Sequence, residues 1–355
     1  MDKLMREKAV TIVLVFFVNL VAAKANIPAL FAFGDSILDT GNNNNLLTVS
    51  KCNFPPYGRD FPGGKPTGRW GNGKVPTDLI AGALGIKQTV PAYLTPGLSI
   101  QDLLSGVSFA SGGTGNDDTT ANIQGVLSLS AQLRLFREYI GKVTAAVGQQ
   151  RASNIISNSL YLFSSGNNDI AITYLPLKGL IPFPIYADLL VGWNINFVKS
   201  LYNLGARKIW VFSTLPLGCL PGARTVGGGL LRDCAPLVNL AAQIFNGKLS
   251  AAVNSLKATY SDYDIKFVDV YTPLLNVIQN PLSAGFINTG TGCCGTGTVE
   301  TGVLCGILTP SCPNPSSYVF WDSGHPTQRA YEFVVASILK TYRLSNFVLS
   351  VNTTT

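Results

Sequence analysis

The chain has 355 residues, of which 46% are hydrophobic and only 13% charged, about half the roughly 25% usual in soluble domains; disorder is excluded and a large core is expected. Its formal charge of +7 is scattered rather than clustered, so nucleic acid is excluded as a partner, and only weak attraction to acidic cell-wall or lipid surfaces is left open. No composition shift or charged linker divides the sequence, and one domain is expected.

The first segment, "MDKLMREKAVTIVLVFFVNLVAAKAN", places Lys3, Arg6 and Lys8 ahead of an apolar run from Ala9 to Ala23, followed by Ala23-Lys24-Ala25. A basic start, an apolar stretch too short to span a bilayer comfortably and a small-x-small site predict a signal peptide over residues 1–25, with 26–355 as the mature domain. An uncleaved signal anchor is the alternative. Cleavage would leave 22 basic and 17 acidic residues, a modest +5. No later segment reads as a membrane span, and an exported, extracellular protein is expected.

Five short apolar runs then recur: "ALFAF" (29–33), "GVSFA" (106–110), "SLYLF" (159–163), "KIWVF" (208–212) and "IKFVDV" (265–270). Each is rich in aromatic or β-branched residues, is bounded by Gly, Ser or Asp, and is continuous rather than alternating. Those properties predict strands covered on both faces, as in a parallel sheet. Helical patterns fall between them at about 75–84, 129–149, 185–204 and 238–258, with a last one at 327–340. In the second, Leu129, Leu133, Phe136, Ile140 and Val143 form a core-facing stripe. Strands alternating with helices predict a three-layer α/β/α fold with its site at the carboxyl ends of the strands.

The first strand ends in "GDSILDTGNNNN", which sets Ser36 at that edge. Two readings are open, a serine that caps the next helix and a nucleophile. Asp35 and the asparagines supply turn chemistry, bonding to their own main chain. Two later loops also follow predicted strands: "FASGGTG", with Gly112, Gly113 and Gly115, and "SSGNNDI", with Asn168. With the Ser36 N–H, a glycine N–H and the Asn168 amide would make an oxyanion hole. The only histidine, His325, stands in "FWDSGHPTQ" three residues after Asp322, a spacing that lets the carboxylate accept the imidazole N–H.

Other motifs fail. "GRWGNGKV" matches P-loop glycine and lysine spacing from Gly68 to Lys74, but Val75 replaces the hydroxyl residue and no strand precedes it. No G-x-S-x-G surrounds Ser36. All seven cysteines (Cys52, Cys219, Cys234, Cys293, Cys294, Cys305, Cys312) follow the signal segment, which favours disulfides and leaves one odd thiol. Cys219 with Cys234 would close a Gly-rich loop, while adjacent Cys293 and Cys294 would find partners in Cys305 and Cys312. A single histidine and no C-x-x-C argue against zinc.

The ordered set Gly34-Asp35-Ser36-Ile37, Gly115, Gly166-Asn167-Asn168-Asp169 and Asp322-Ser323-Gly324-His325 resembles the four blocks of the SGNH (GDSL) hydrolases. Strings such as "FPPYGRDFPGGKPTGRWGNGKVPTDLIA", "LPLGCLPGAR" and "GCCGTGTVE" resemble the plant-type GDSL esterase/lipases, especially the extracellular-lipase group. The resemblance implies Ser36 as nucleophile, His325 as general base and then acid, and Asp322 as its orienter. It implies Ser36 N–H, Gly115 N–H and the Asn168 amide as oxyanion donors, with neither metal nor cofactor. Gly115 fits the block's spacing best, with Gly113 the near alternative, and Ile37 replaces the Leu of the family's name. The implied fold is flavodoxin-like, a five-stranded parallel sheet of order 2-1-3-4-5. The expected function is secreted serine esterase or lipase action on acyl or lipid esters through an acyl-enzyme. A catalytically silent lipid-binding or coat protein and an acyltransferase are the alternatives. One N-glycosylation sequon lies at Asn352.

Overall fold

A computed structural model describes residues 27–342; the predicted signal peptide and the Asn352 sequon lie outside the described residues. Four of the five apolar runs form one parallel sheet: β1 (Leu30–Gly34), β2 (Leu160–Ser164), β3 (Lys208–Phe212) and β4 (Asp264–Val268), adjacent in that order. Every residue of β1 and β2 is buried, as expected when helices cover both faces.

The fifth run, 106–110, lies beside β1 in parallel, bridged at Ala32 and Ser108 and bonded from Ala32 N to Val107 O at 3.3 Å, from Phe109 N to Ala32 O at 2.7 Å and from Ser111 N to Gly34 O at 2.9 Å. On its other edge Ser108 O accepts from Tyr93 N and from Asn42 Nδ2, and Ala110 O accepts from Asn42 Nδ2 as well, so the side turned away from β1 is closed by the Tyr93 segment and the asparagine run. Among the described residues four regular strands thus run in the order β1-β2-β3-β4, with the fifth segment bonded in parallel on the β1 side.

Ten α-helices are found among the described residues: α1 (Pro76–Ala83), α2 (Ile100–Leu104), α3 (Asp118–Gln124), α4 (Leu129–Val147), α5 (Gln149–Asn158), α6 (Phe183–Asn203), α7 (Pro221–Gly227), α8 (Pro236–Thr259), α9 (Tyr271–Gln279) and α10 (Gln328–Thr341). Helices α4, α5, α6 and α8 pack on one another, as do α1, α9 and α10. Phe33 of β1 meets Phe136 of α4 at 5.4 Å and Phe197 of α6 at 5.6 Å, fixing the first group to the sheet. The buried stripe of α4 is Leu129, Gln132, Phe136, Tyr139 and Val143, so Tyr139 takes the place expected for Ile140. Gln132 has a particular task. Its amide oxygen accepts Gly34 N at 2.8 Å and its nitrogen donates to Gly34 O at 2.9 Å, which ties the helix to the end of β1.

A second, two-stranded sheet pairs β5 (Asn288–Gly292) with β6 (Tyr318–Phe320). Beside it lies a separate core of Cys52, Tyr57, Trp70, Cys293, Cys294, Cys305 and Trp321. Two disulfides, Cys293–Cys312 and Cys294–Cys305, bind this region, and Cys219–Cys234 closes the Gly-rich loop. The odd thiol is Cys52, buried, with its ionisation pushed well up by desolvation.

Candidate active site

Ser36 stands two residues beyond β1, where the strand cannot continue. Gly34 passes so close to β2 that a Cβ there would fall 1.7 Å from Ser164 O. Asp35 then turns the chain: its carboxylate accepts Ile37 N at 3.2 Å, Ser164 Oγ at 3.0 Å and Asn167 Nδ2 at 2.8 Å. Asn167 in turn accepts Leu215 N, so a single network joins the loops after β1, β2 and β3. Burial of Asp35 pushes its carboxyl up to about 6 despite these donors.

The asparagine run does more than turn the chain locally, which corrects the expectation from its sequence. Asn42 and Asn43 are buried and bridge residues about seventy positions away. Asn43 Nδ2 donates to Gly112 O at 2.8 Å, and its oxygen accepts the Ser111 hydroxyl. Asp39 accepts Gly112 N at 2.9 Å. The glycine loop is thus fixed from the first block.

His325 follows β6 by five residues, and the structure brings it to Ser36 across the main sheet's edge: Nε2 lies 2.9 Å from Ser36 Oγ. Its Nδ1 is 2.9 Å from Asp322 Oδ1 and 3.0 Å from Oδ2. Asp322 has no exposed surface. It accepts Tyr57 OH at 2.6 Å, Thr301 Oγ1 at 3.0 Å, and Gly324 N and His325 N at 2.8 Å each. Burial alone would raise this carboxyl, but the His325 ring and these donors hold it below its ordinary range. Tyr57 and Thr301 carried no signal in the sequence, because a contact spanning 265 positions has no local pattern.

The third group of donors divides the two candidate glycines. Ser36 N–H makes no hydrogen bond among the described residues, and Gly113 N–H and Gly115 N–H make none either. Asn168 Nδ2 donates to Thr114 O at 2.9 Å. In a trans peptide the carbonyl and the following N–H point oppositely, so Gly115 N–H is turned away from the Asn168 amide. By the same rule, Gly112 O pointing at Asn43 turns Gly113 N–H away from that clamp. Gly115 has a packing reason to be glycine: a Cβ would lie 2.2 Å from Asp169 Oδ1. Asp169, buried and pushed up to about 6 by desolvation, accepts Asn116 N, Asp117 N and Thr120 Oγ1.

The predicted Ser36, Asp322, His325 set therefore converges, with Asn168 docked on the glycine loop. Among the described residues no cluster of His, Cys, Asp and Glu is placed to hold a metal, and no helix is long and apolar enough to cross a membrane.

Comparison with known proteins identifies the family to which the chain belongs. The family model for GDSL-like Lipase/Acylhydrolase matches residues 30–338. The GDSL esterase/lipase At1g23500 of Arabidopsis thaliana is 50% identical over 94% of this chain and 95% of its own. The GDSL esterase/lipase EXL3 of Arabidopsis thaliana is 48% identical over 90% of this chain and 88% of its own. Among solved structures, phospholipase A1 from Streptomyces albidoflavus NA297 is 13% identical, with a TM-score of 0.40 over 89% of this chain and 99% of that one. A match across nearly the whole described chain, with relatives at half identity over nearly their full lengths, makes this protein a member of the GDSL-like lipase/acylhydrolase family of carboxylic ester hydrolases.

Proposed function

We propose that the protein is a secreted serine esterase or lipase that hydrolyses acyl or lipid esters through an acyl-enzyme. The observation that carries this reading is the continuous chain from Ser36 Oγ to His325 Nε2 at 2.9 Å, and from His325 Nδ1 to Asp322 at 2.9 Å. Ser36 Oγ attacks the ester carbonyl while His325 Nε2 takes its proton. Asp322 holds Nδ1–H and stabilises the imidazolium. The tetrahedral oxyanion sits against Ser36 N–H, the Asn168 amide and Gly113 N–H. Gly113 takes the role expected of Gly115, whose N–H faces away from the Asn168 amide. His325 then gives its proton to the leaving alcohol. A water deprotonated by His325 attacks the acyl-Ser36, and the acid is released with Ser36 restored.

Secretion is supported by the signal-like start and by three disulfides, which persist in oxidising compartments. The scattered positive charge is compatible with loose association with acidic cell-wall or lipid surfaces. The test is Ser36→Ala against esters of graded acyl length. The variant folds and loses turnover, and an active-site fluorophosphonate labels the parent but not the variant. Parental turnover in Ser36→Ala refutes the assignment, and an unlabelled, inactive parent favours the silent lipid-binding alternative.

A further inference from the structure

The stretch that imitates a P-loop carries Trp70, which is 6% exposed. Its ring lies 4.9 Å from the His325 imidazole, centroid to centroid, with an interplanar angle of 33°. The indole is wedged between two glycines. A Cβ on Gly112 would come within 2.2 Å of Trp70 Nε1, and one on Gly302 would sit 3.7 Å from Cζ3 and Cη2 at the opposite end of the ring. Gly112 opens the loop containing Gly113. Gly302 follows Thr301, whose hydroxyl bonds Asp322. Tyr57, the other side-chain hydroxyl on Asp322, meets Trp70 edge-on at 6.2 Å.

One side chain therefore touches the imidazole, the glycine loop and the segment that orients the carboxylate. Its Nε1–H has no acceptor among the described residues, so shape rather than a polar anchor fixes the ring. The stretch itself is held at both ends. Arg69 pairs with Asp78 at 2.7 Å, and Asn72 and Lys74 bond Gln328 at the start of α10.

We propose that Trp70 is a positioning residue for ester hydrolysis: its face stabilises the imidazolium that His325 becomes in the transition states, and its edges hold the glycine loop and the Thr301–Gly302 segment in place. The inference rests on the Ser36–His325 reading of the site. An aromatic face attracts a cation within about 6 Å of its centroid. This attraction exists only once His325 has taken a proton, so it favours the transition state over the resting enzyme. Other groups facing the imidazole are Asp322 on its own loop and Asp35 beside Ser36. Behind Asp322 lie Tyr57, Cys52 and Tyr331. Trp70 also packs on the Thr301–Gly302 segment and on Tyr57 beside Asp322, so Trp70→Phe, which keeps a ring in that space, is compared with Trp70→Leu.

The chain's single histidine makes the test direct, because a tag-free protein gives one imidazole signal by NMR. In Trp70→Leu the imidazole titration midpoint should move about half to one pH unit below the parent's, because the imidazolium has lost its face. The same loss should lower kcat about 3- to 10-fold with little change in KM for a small soluble aryl ester. Trp70→Phe, which keeps a weaker face, should fall between the two. An imidazole that titrates in Trp70→Leu as it does in the parent overturns the proposal and leaves Trp70 as filler. If Trp70→Leu does not fold, Trp70→Phe decides, and its titration matching the parent's is the overturning result. The titration needs no turnover, so failure of the esterase reading would be seen separately, in Ser36→Ala.

Discussion

Removing the Tyr57 hydroxyl tests how the carboxylate is held. That hydroxyl donates to Asp322 Oδ2 at 2.6 Å and accepts Gly302 N at 2.8 Å, and the side chain is 1% exposed. In Tyr57→Phe the ring's packing survives, but two buried groups lose a partner. A hydrogen bond to a charged group contributes about 1.5–3 kcal/mol, and a buried N–H left unpaired costs about 1–3 kcal/mol. The two losses share one atom and do not simply add. We expect about 2–4 kcal/mol less stability, read as a lower urea midpoint with an unchanged slope. Activity should suffer less. Asp322 keeps Thr301, Gly324 N and His325 N, so the imidazole stays oriented and kcat should fall by about tenfold, the equivalent of one weakened contact in the transition state. An unchanged urea midpoint would show that the hydroxyl is not held as described. A folded variant as inactive as Ser36→Ala would refute the assignment of Tyr57 to support rather than chemistry.

The other predictions concern the oxyanion donors and the buried carboxyls. Asn168→Ala should lower kcat about 10²- to 10³-fold with a smaller effect on KM, as for the loss of one oxyanion donor; steady-state kinetics on an aryl ester reads it, and an unchanged kcat removes Asn168 from the site. Gly115→Ala forces a methyl to within 2.2 Å of Asp169 Oδ1 and should destabilise the fold by about 1–3 kcal/mol; a urea midpoint equal to the parent's contradicts the packing role. Asp35, Asp39 and Asp169 are each pushed up to about 6 by burial, whereas the unfolded chain ionises its carboxyls near 4. Between about pH 4 and 6 the folded state therefore binds more protons than the unfolded state, and stability falls as pH rises through that window. The urea midpoint should be higher at pH 5 than at pH 6, by about 1 kcal/mol for each such carboxyl. Asp322 and Glu300, both lowered, begin to lose their contributions only below about pH 4 and do not offset the trend. A midpoint that rises from pH 5 to pH 6 refutes the burial argument.

The sheet was legible in the sequence because its strands are continuous apolar runs: 29–33, 159–163 and 208–212 differ from β1, β2 and β3 by no more than one residue at either end. Strand β5 was not, since Asn288–Gly292 reads NTGTG and has neither an apolar run nor alternation. Helix α5 was hidden as well. Its start falls inside the 129–149 pattern, and the break is made by Gly148, whose φ of 81° stops α4. In the site, Ser36, Asp322 and His325 could be found because each carries chemistry that few other residue types provide and the histidine is alone. Trp70, Tyr57 and Thr301 could not, since an aromatic ring or a hydroxyl in a loop is ordinary until its neighbour 255, 265 or 21 positions away is known. The proposal of Gly113 over Gly115 rests on which way one peptide plane faces, which spacing cannot encode.

The two halves of the site are built on different supports. Ser36 and Asn168 leave the main sheet directly, so their places are set by the large core beneath it. Asp322 and His325 leave β6, whose neighbours Cys293 and Cys294 bond Phe320 O and Trp321 O and are each tied by a disulfide. Val319 and Phe320 of β6 lie in that large core too, while Trp321 belongs to the smaller one, so the 2.9 Å contact between Ser36 and His325 is held where the two cores meet. Specific contacts add to that packing: Gln328 bonds Asn72 and Lys74, Gly222 N donates to Ser323 O, and Trp70 fills the space between the glycine loop and the imidazole. Disulfides belong in this smaller core for a physical reason. It has few apolar side chains to bury, and closing its loops covalently limits the unfolded state where burial alone would stabilise too little.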